Sequence, residues 1–117
     1  MLNRKDRGIL VAMMDHCDAI IAARLRFGDS FDVFSGDRDY FNSVSMALLQ
    51  IGELANHFTP EFREAHTDIP LRQIVGLRNI VAHRYGTLDV ASVWNTVCDD
   101  IPKLRMQCEQ ISSEANG

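Results

Sequence analysis

The sequence has little of what marks membrane proteins, secreted proteins and broad nucleic-acid-binding surfaces. Its 117 residues contain three cysteines, three prolines, two lysines, two tyrosines and one tryptophan. No apolar run approaches the roughly 18 residues of a membrane-spanning helix. The charged N-terminus is followed by an amphipathic segment rather than a continuous apolar signal core, so a cytoplasmic location is expected.

The cysteines and the scattered histidines show no pattern of a metal site. Cys17, Cys98 and Cys108 are odd in number and far apart in the sequence, so we expect reduced, mostly buried thiols. Other possible ligands, His16, His57 and His66, share no spacing that places them on one helical face. The sequence therefore predicts no metal ion and no cofactor.

Positive charge is also scarce. Twelve Lys and Arg face sixteen Asp and Glu, which gives a net charge of −4 and argues against salt-driven binding of nucleic acid over the whole surface. Ten of the twelve cations are arginine, whose planar fork suits phosphate or carboxylate. Any nucleic-acid contact is therefore expected in a local cleft.

Apolar residues recur at helical spacing along most of the chain, and no alternation typical of β-strands appears. A chain of this length encloses one core, so residues 1–117 are expected to form a single all-α domain. The expected architecture is an antiparallel bundle of four main helices. These helices are predicted over residues 5–26, about 37–57, 71–86 and about 90–111.

Punctuating residues divide this pattern. Gly28 is expected to end the first helix, and residues 31–34 are expected to form a loop packed against the bundle. Pro102 lies inside the last helical pattern. It predicts a kink or break near residues 99–100, because proline lacks an N–H and clashes with the preceding turn.

The stretch 71–86 combines conflicting properties. It is apolar over most of a helical circumference, opened by Pro70 and ended by Gly86 as an expected left-handed cap. Four polar side chains are nevertheless set into it: Arg78, Asn79, His83 and Tyr85. Fully buried arginine is rare unless it is paired, and such conflicts between chemistry and packing mark candidate functional sites.

The spacing of Arg78, His83 and Tyr85, Arg-x4-His-x-Tyr, resembles the signature of the HEPN ribonuclease superfamily. The trailing tyrosine is similar to that of its HepT toxin branch. Residues 51–55 (Ile-Gly-Glu-Leu-Ala) resemble the family's Gly-Glu stretch, and residues 92–104 resemble its last helix. The resemblance spans roughly residues 5–112.

This resemblance implies the toxin ribonuclease of a toxin–antitoxin pair, acting without a metal ion. His83 would act as general base on a ribose 2′-hydroxyl, a task that suits imidazole near neutral pH. Arg78 would hold the scissile phosphate, and Asn79 would orient His83 from one helical turn back. The product would be a 2′,3′-cyclic phosphate.

The resemblance also implies two protein partners. A nucleotidyltransferase antitoxin of the MntA kind would transfer AMP to Tyr85, which would block and neutralise the phosphate site beside Arg78. Arg78 and His83 point about 140° apart on one helix. Uniting them therefore requires unwinding near the helix end or a second copy of the helix, and the apolar circumference favours a homodimer.

Simpler interpretations stand beside these. Arg78 alone is equally well explained as a structural arginine paired with Glu53 or Asp89, and His83 alone as a C-terminal capping residue. Glu53 either orients Arg78 or is a solvated helix residue, with the second weakly favoured. The alternative function is a non-catalytic helical binding module or accessory partner of a nucleotidyltransferase.

Overall fold

A computed structural model describes residues 2–116, except for the side chains of Arg84, Tyr85 and Asn116. Within this range the protein is all-α, without strands, and the predicted bundle of four main helices is confirmed. In chain order the elements are α1 (Arg4–Phe27), α2 (Phe31–Gly36), α3 (Arg38–Ala55), α4 (Pro60–Ala65), α5 (Leu71–Arg84), a 3₁₀ turn (Tyr85–Thr87), α6 (Val90–Asn95), a π-helical segment (Thr96–Asp100) and α7 (Ile101–Asn116).

Polar caps set the helix boundaries. The Asn3 side chain accepts a hydrogen bond from a first-turn N–H of α1, and Asp37 Oδ1 accepts from two backbone N–H groups of α3. These bonds satisfy donors that a helix start leaves without partners. Gly28 ends α1 with a φ of +126°, a conformation that glycine adopts without strain. The predicted end of the first helix is thus confirmed.

Two local predictions are wrong. Residues 31–34 belong to the short helix α2, because Ser30 Oγ accepts from Val33 N at 3.2 Å and so caps a helical turn. Gly86 does not form a left-handed cap. It lies in the 3₁₀ turn Tyr85–Thr87, into which the chain tightens after Arg84.

The predicted break ahead of Pro102 is a π-helical segment. Asp89 caps α6 by accepting from Ala91 N at 3.1 Å, and the helix then widens over Thr96–Asp100. At its end the Ile101 N–H bonds to the Thr96 carbonyl, five residues back. Widening here accommodates a proline that cannot donate and whose ring crowds the preceding turn.

The core lies between α1, α3 and the last helix, and α5 packs along α3. At one end of the bundle the rings of Tyr40 and Trp94 lie around Phe34, with centroids 4.9 and 5.0 Å from its ring. This cluster anchors α2 and α6 to α3. None of the described helices is both long and apolar enough to cross a membrane.

Candidate active site

The candidate site forms where α5 crosses α3 at Gly52. A Cβ added at residue 52 would lie 2.1 Å from Arg78 Cβ and 3.1 Å from Arg78 Cα. Atoms without a bond between them do not approach this closely, so the helices reach this separation only because residue 52 is glycine. The crossing places Arg78 directly against α3.

Arg78 is held by two oxygens. Its Nε donates to Glu53 Oε1, and its Nη1 donates to Asn79 Oδ1 at 2.9 Å. The weakly favoured interpretation of Glu53 as a solvated residue is therefore wrong, since it is the ion-pair partner of Arg78. The side chains of Arg78 and Glu53 are 32% and 40% exposed. The pair is thus accessible to a ligand.

Asn79 has a different partner from the one the sequence suggested. In the hydrogen bonds described, its side chain accepts from Arg78 rather than contacting His83. Asn79 and His83 are both exposed, and residues four apart lie on the same face of a helix. Through Asn79 the Arg78 guanidinium contacts the sector of α5 that carries His83, although Arg78 and His83 themselves project from different sectors.

In the described contacts, α5 remains helical between Arg78 and His83 and does not pair with Asp89. The α-helix continues regularly to Arg84, so it does not unwind between Arg78 and His83. Asp89, the other candidate partner of Arg78, instead accepts from Ala91 N and Ser92 Oγ at the start of α6. The side chain of Tyr85, the expected AMP acceptor, lies outside the described residues.

An open groove of about 540 Å³ runs between α5 and the last helix. Its lining is mostly apolar, with exposed Ile80 on the α5 side at 47% exposure. The α5 residues that line it, Gln73, Gly76 and Ile80 among them, border the exposed face of that helix. The lining residues include Leu48, Ile51, Ile74, Leu77, Ile80, Thr96, Ile101 and Leu104.

Cysteine and histidine form no second chemical centre in the described part of the chain. No group of three or more His, Cys, Asp or Glu side chains there is arranged to hold a metal ion. The three cysteines are free thiols, and burial raises the pKa of Cys17 and of Cys108 to about 12. Such thiols stay protonated at neutral pH and are therefore poor nucleophiles. The chemistry available on α5 is that of an oriented arginine and an exposed imidazole.

Comparison with known proteins identifies relatives of this chain. The family model named Ribonuclease HepT-like matches residues 15–111. A protein of Caldanaerobacter subterraneus subsp. tengcongensis named "Putative RNase TTE0752" is 30% identical over 105 residues, which cover 90% of this chain and 92% of that protein.

Two archaeal proteins match over shorter stretches. The "Probable ribonuclease HepT" of Thermococcus cleftensis is 33% identical over 81 residues, 69% of this chain and 74% of that protein. The "Putative RNase MJ1380" of Methanocaldococcus jannaschii is 37% identical over 67 residues, 57% of this chain and 62% of that protein. No solved structure matches the chain significantly.

Proposed function

Because the chain belongs to the Ribonuclease HepT-like family, we propose that it is an endoribonuclease and the toxin of a toxin–antitoxin pair. The observation that carries the proposal is the Arg78 guanidinium, oriented by Glu53 and Asn79 on the helix that exposes His83. Together these side chains supply the cation and the base that RNA cleavage requires. A cytoplasmic location, where RNA is available, is part of the same proposal.

The reaction is attack of a ribose 2′-oxygen on the adjacent phosphorus. His83 accepts the 2′-hydroxyl proton as the new oxygen–phosphorus bond forms. The bond from phosphorus to the 5′-oxygen breaks, and that oxygen takes up a proton from solvent and leaves as a hydroxyl group, while His83 returns its proton to solvent. Arg78 binds the phosphate oxygens and offsets the charge that grows on them. The product is a 2′,3′-cyclic phosphate, and no step requires a metal ion.

The active form in this proposal is a homodimer. Regular helix between Arg78 and His83 keeps the two side chains on different sectors of one α5, so a second protomer is the simplest source of a closely opposed pair. The groove beside α5 and the exposed Ile80 supply apolar surface for such a contact. Burial of this surface stabilises the dimer.

Control of the toxin follows the HepT pattern. A nucleotidyltransferase antitoxin transfers AMP to the Tyr85 hydroxyl, with pyrophosphate leaving from ATP. Tyr85 follows Arg78 closely in the sequence, and the negative charge and bulk of the added AMP are expected to oppose binding of an RNA phosphate to Arg78. Tyr85 is the first residue of the 3₁₀ turn Tyr85–Thr87, and the α-helix ends at the residue before it.

The test is expression of wild type, Arg78→Ala and His83→Ala in a bacterial host. Growth is followed, and total RNA is examined for new 2′,3′-cyclic phosphate ends. Wild type alone is expected to arrest growth and produce these ends. Matched controls are Arg26→Ala and His57→Ala, which change exposed residues of the same types outside the site and are expected to behave as wild type.

The result that contradicts the proposal is folded wild-type protein without arrest or new RNA ends. In that case the chain acts as a binding module or accessory partner of a nucleotidyltransferase. Cleavage by wild type that persists in His83→Ala would retain the ribonuclease and remove His83 as its base. General-base catalysis contributes about 10²–10⁴-fold, so the loss is readily measured.

A further inference from the structure

Glu53 and Asn79 each occupy one N–H donor of the Arg78 guanidinium. A guanidinium carries five N–H donors in a fixed fork. The Glu53 carboxylate accepts from Nε, and Asn79 Oδ1 accepts from Nη1. These two bonds leave one N–H of Nη1 and both N–H groups of Nη2 as the remaining donors.

This arrangement suits a phosphate group. Two neighbouring N–H donors on one edge of arginine bind two oxygens of a phosphate side by side. If Nε were not fixed, the long side chain would present its edges in several orientations, because its torsions rotate independently. Glu53 on α3 and Asn79 on α5 each supply one acceptor oxygen, and together they hold the Arg78 guanidinium in one orientation.

Stability alone does not account for the Glu53–Arg78 pair. Both side chains are partly exposed, and ion pairs of this kind contribute little to folding stability. Gly52 is a second cost, because glycine inside a helix is unfavourable relative to alanine. Folding stability therefore gives little reason for a carboxylate at residue 53.

We propose that Glu53 is a positioning residue that turns the Nη1–Nη2 edge of Arg78 toward the scissile phosphate. This inference rests on the ribonuclease function proposed above and extends it to a residue on another helix. Glu53 touches the arginine and does not touch the reacting atoms. Its own negative charge repels the RNA phosphate, so it favours correct orientation at the expense of raw affinity.

The opposition between orientation and affinity gives a distinctive kinetic result. Removing the carboxylate in Glu53→Ala is expected to lower kcat by about 10²-fold, the cost of a misplaced catalytic group. KM is expected to fall or stay unchanged, because a repulsive charge has been removed. Glu53→Gln keeps an oxygen that accepts from Nε but lacks the charge. Its kcat is therefore expected to lie between that of wild type and that of Glu53→Ala.

The experiment measures cleavage of a short fluorescent RNA by purified protein, with rates normalised to the folded fraction. The matched control is Glu109→Ala, which removes a carboxylate from a second arginine, Arg105, that still keeps Asp18. This control is expected to leave kcat and KM unchanged. The ¹⁵N–¹H signal of Arg78 Nε supplies a readout independent of cleavage: it is expected in wild type and Glu109→Ala and lost in Glu53→Ala.

The outcomes separate this inference from the function on which it rests. Wild type that cleaves RNA with Glu53→Ala equally fast per folded molecule overturns the positioning role alone. A loss of activity that follows only the loss of folded protein does the same. Wild type that cleaves no RNA overturns the proposed function and this inference with it.

Discussion

Arg78 packs so closely against Gly52 that residue 52 has no room for a side chain. A Cβ added at residue 52 would lie only 2.1 Å from the Arg78 Cβ, far inside contact distance. The close approach brings the first carbons of Arg78 against α3, and the next residue of α3, Glu53, receives the Nε hydrogen bond. Gly52 thus permits the close approach of α5 to α3, and Glu53 binds the guanidinium of Arg78.

Gly52→Ala is expected to damage both the fold and the site. The new methyl group must push α5 away from α3, and overpacking of this kind costs about 1–3 kcal/mol. Displacement of Arg78 is expected to lower RNA cleavage further than the loss of stability explains. Urea denaturation and cleavage assays on the same preparations measure the two effects.

The control for this substitution is Gly8→Ala in α1. A Cβ at Gly8 meets nothing within 4 Å, so the change supplies helix propensity without a clash. It is expected to stabilise the protein by up to about 1 kcal/mol. A Gly52→Ala protein as stable and as active as Gly8→Ala would show that the helices separate without consequence.

The fold was more predictable than the contacts of the site, for a physical reason. Helices depend mainly on neighbours in the sequence, so apolar periodicity and residues such as Gly28 located the long helices, although not the short helix α2. The pairing of Glu53 with Arg78 joins residues 25 positions apart and depends on how two helices cross. Gly52, inside a predicted helix, was the sequence signal of that crossing. Only the structure identifies α5 as the helix that packs against it.

The individual residues of the site divide in the same way. The motif spacing together with the flanking segments selected Arg78 and His83, and Asn79 was selected because it lies one helical turn before His83. Their catalytic roles stay predictions. The partner of Asn79 was not predictable, because an amide four residues from His83 and one residue from Arg78 can reach either. In the structure Asn79 Oδ1 accepts from the same guanidinium that Glu53 binds.

The buried thiols predict a loss of stability in alkaline solution. Burial raises the pKa of Cys17 and Cys108 from 9.0 to about 12, so the folded protein binds these protons more tightly than the unfolded chain. The stabilisation is complete below about pH 9 and declines between pH 9 and 12, by about 1.4 kcal/mol per pH unit for each thiol. Urea denaturation under reducing conditions at several pH values measures this slope.

Cys17→Ala isolates the contribution of one thiol to that slope. The variant is less stable at pH 8 because it leaves a cavity, but its free energy of unfolding is expected to fall less steeply above pH 9. Groups far from Cys17 affect both proteins equally, and Cys108, which interacts electrostatically with Cys17, still titrates in the variant. Parallel curves for the two proteins would contradict the assignment.

Tyr85→Phe is expected to uncouple the toxin from its antitoxin. Incubated with the nucleotidyltransferase and ATP, wild type should gain the mass of one AMP and lose RNA cleavage. The phenylalanine variant has no hydroxyl to accept AMP and should keep cleaving. Tyr40→Phe is the matched control, because Tyr40 is the other tyrosine of the chain and is fully buried. If Tyr85→Phe still gained the mass of one AMP, the acceptor would be another residue.

Ile80→Glu is expected to convert the dimer into monomers. Ile80 is 47% exposed beside the groove, so a charge there is tolerated by the folded monomer but costly in an apolar interface. Circular dichroism should be unchanged, while light scattering reports half the mass and RNA cleavage is lost. Met106→Glu changes another exposed apolar residue and is expected to leave the dimer intact. An active Ile80→Glu monomer would place the whole site in one chain.

Co-expression of Arg78→Ala with His83→Ala tests which protomer supplies each side chain. Each variant alone lacks one half of the site. If Arg78 of one protomer acts with His83 of the other, a mixed dimer contains one complete pair, because the Arg78→Ala chain still carries His83. Half of randomly formed dimers are mixed and half of their pairs are complete, so about a quarter of wild-type activity is expected. If both side chains act within one protomer, no mixed dimer contains a complete pair and activity stays at the level of the single variants. The regular helix between residues 78 and 83 predicts the first result.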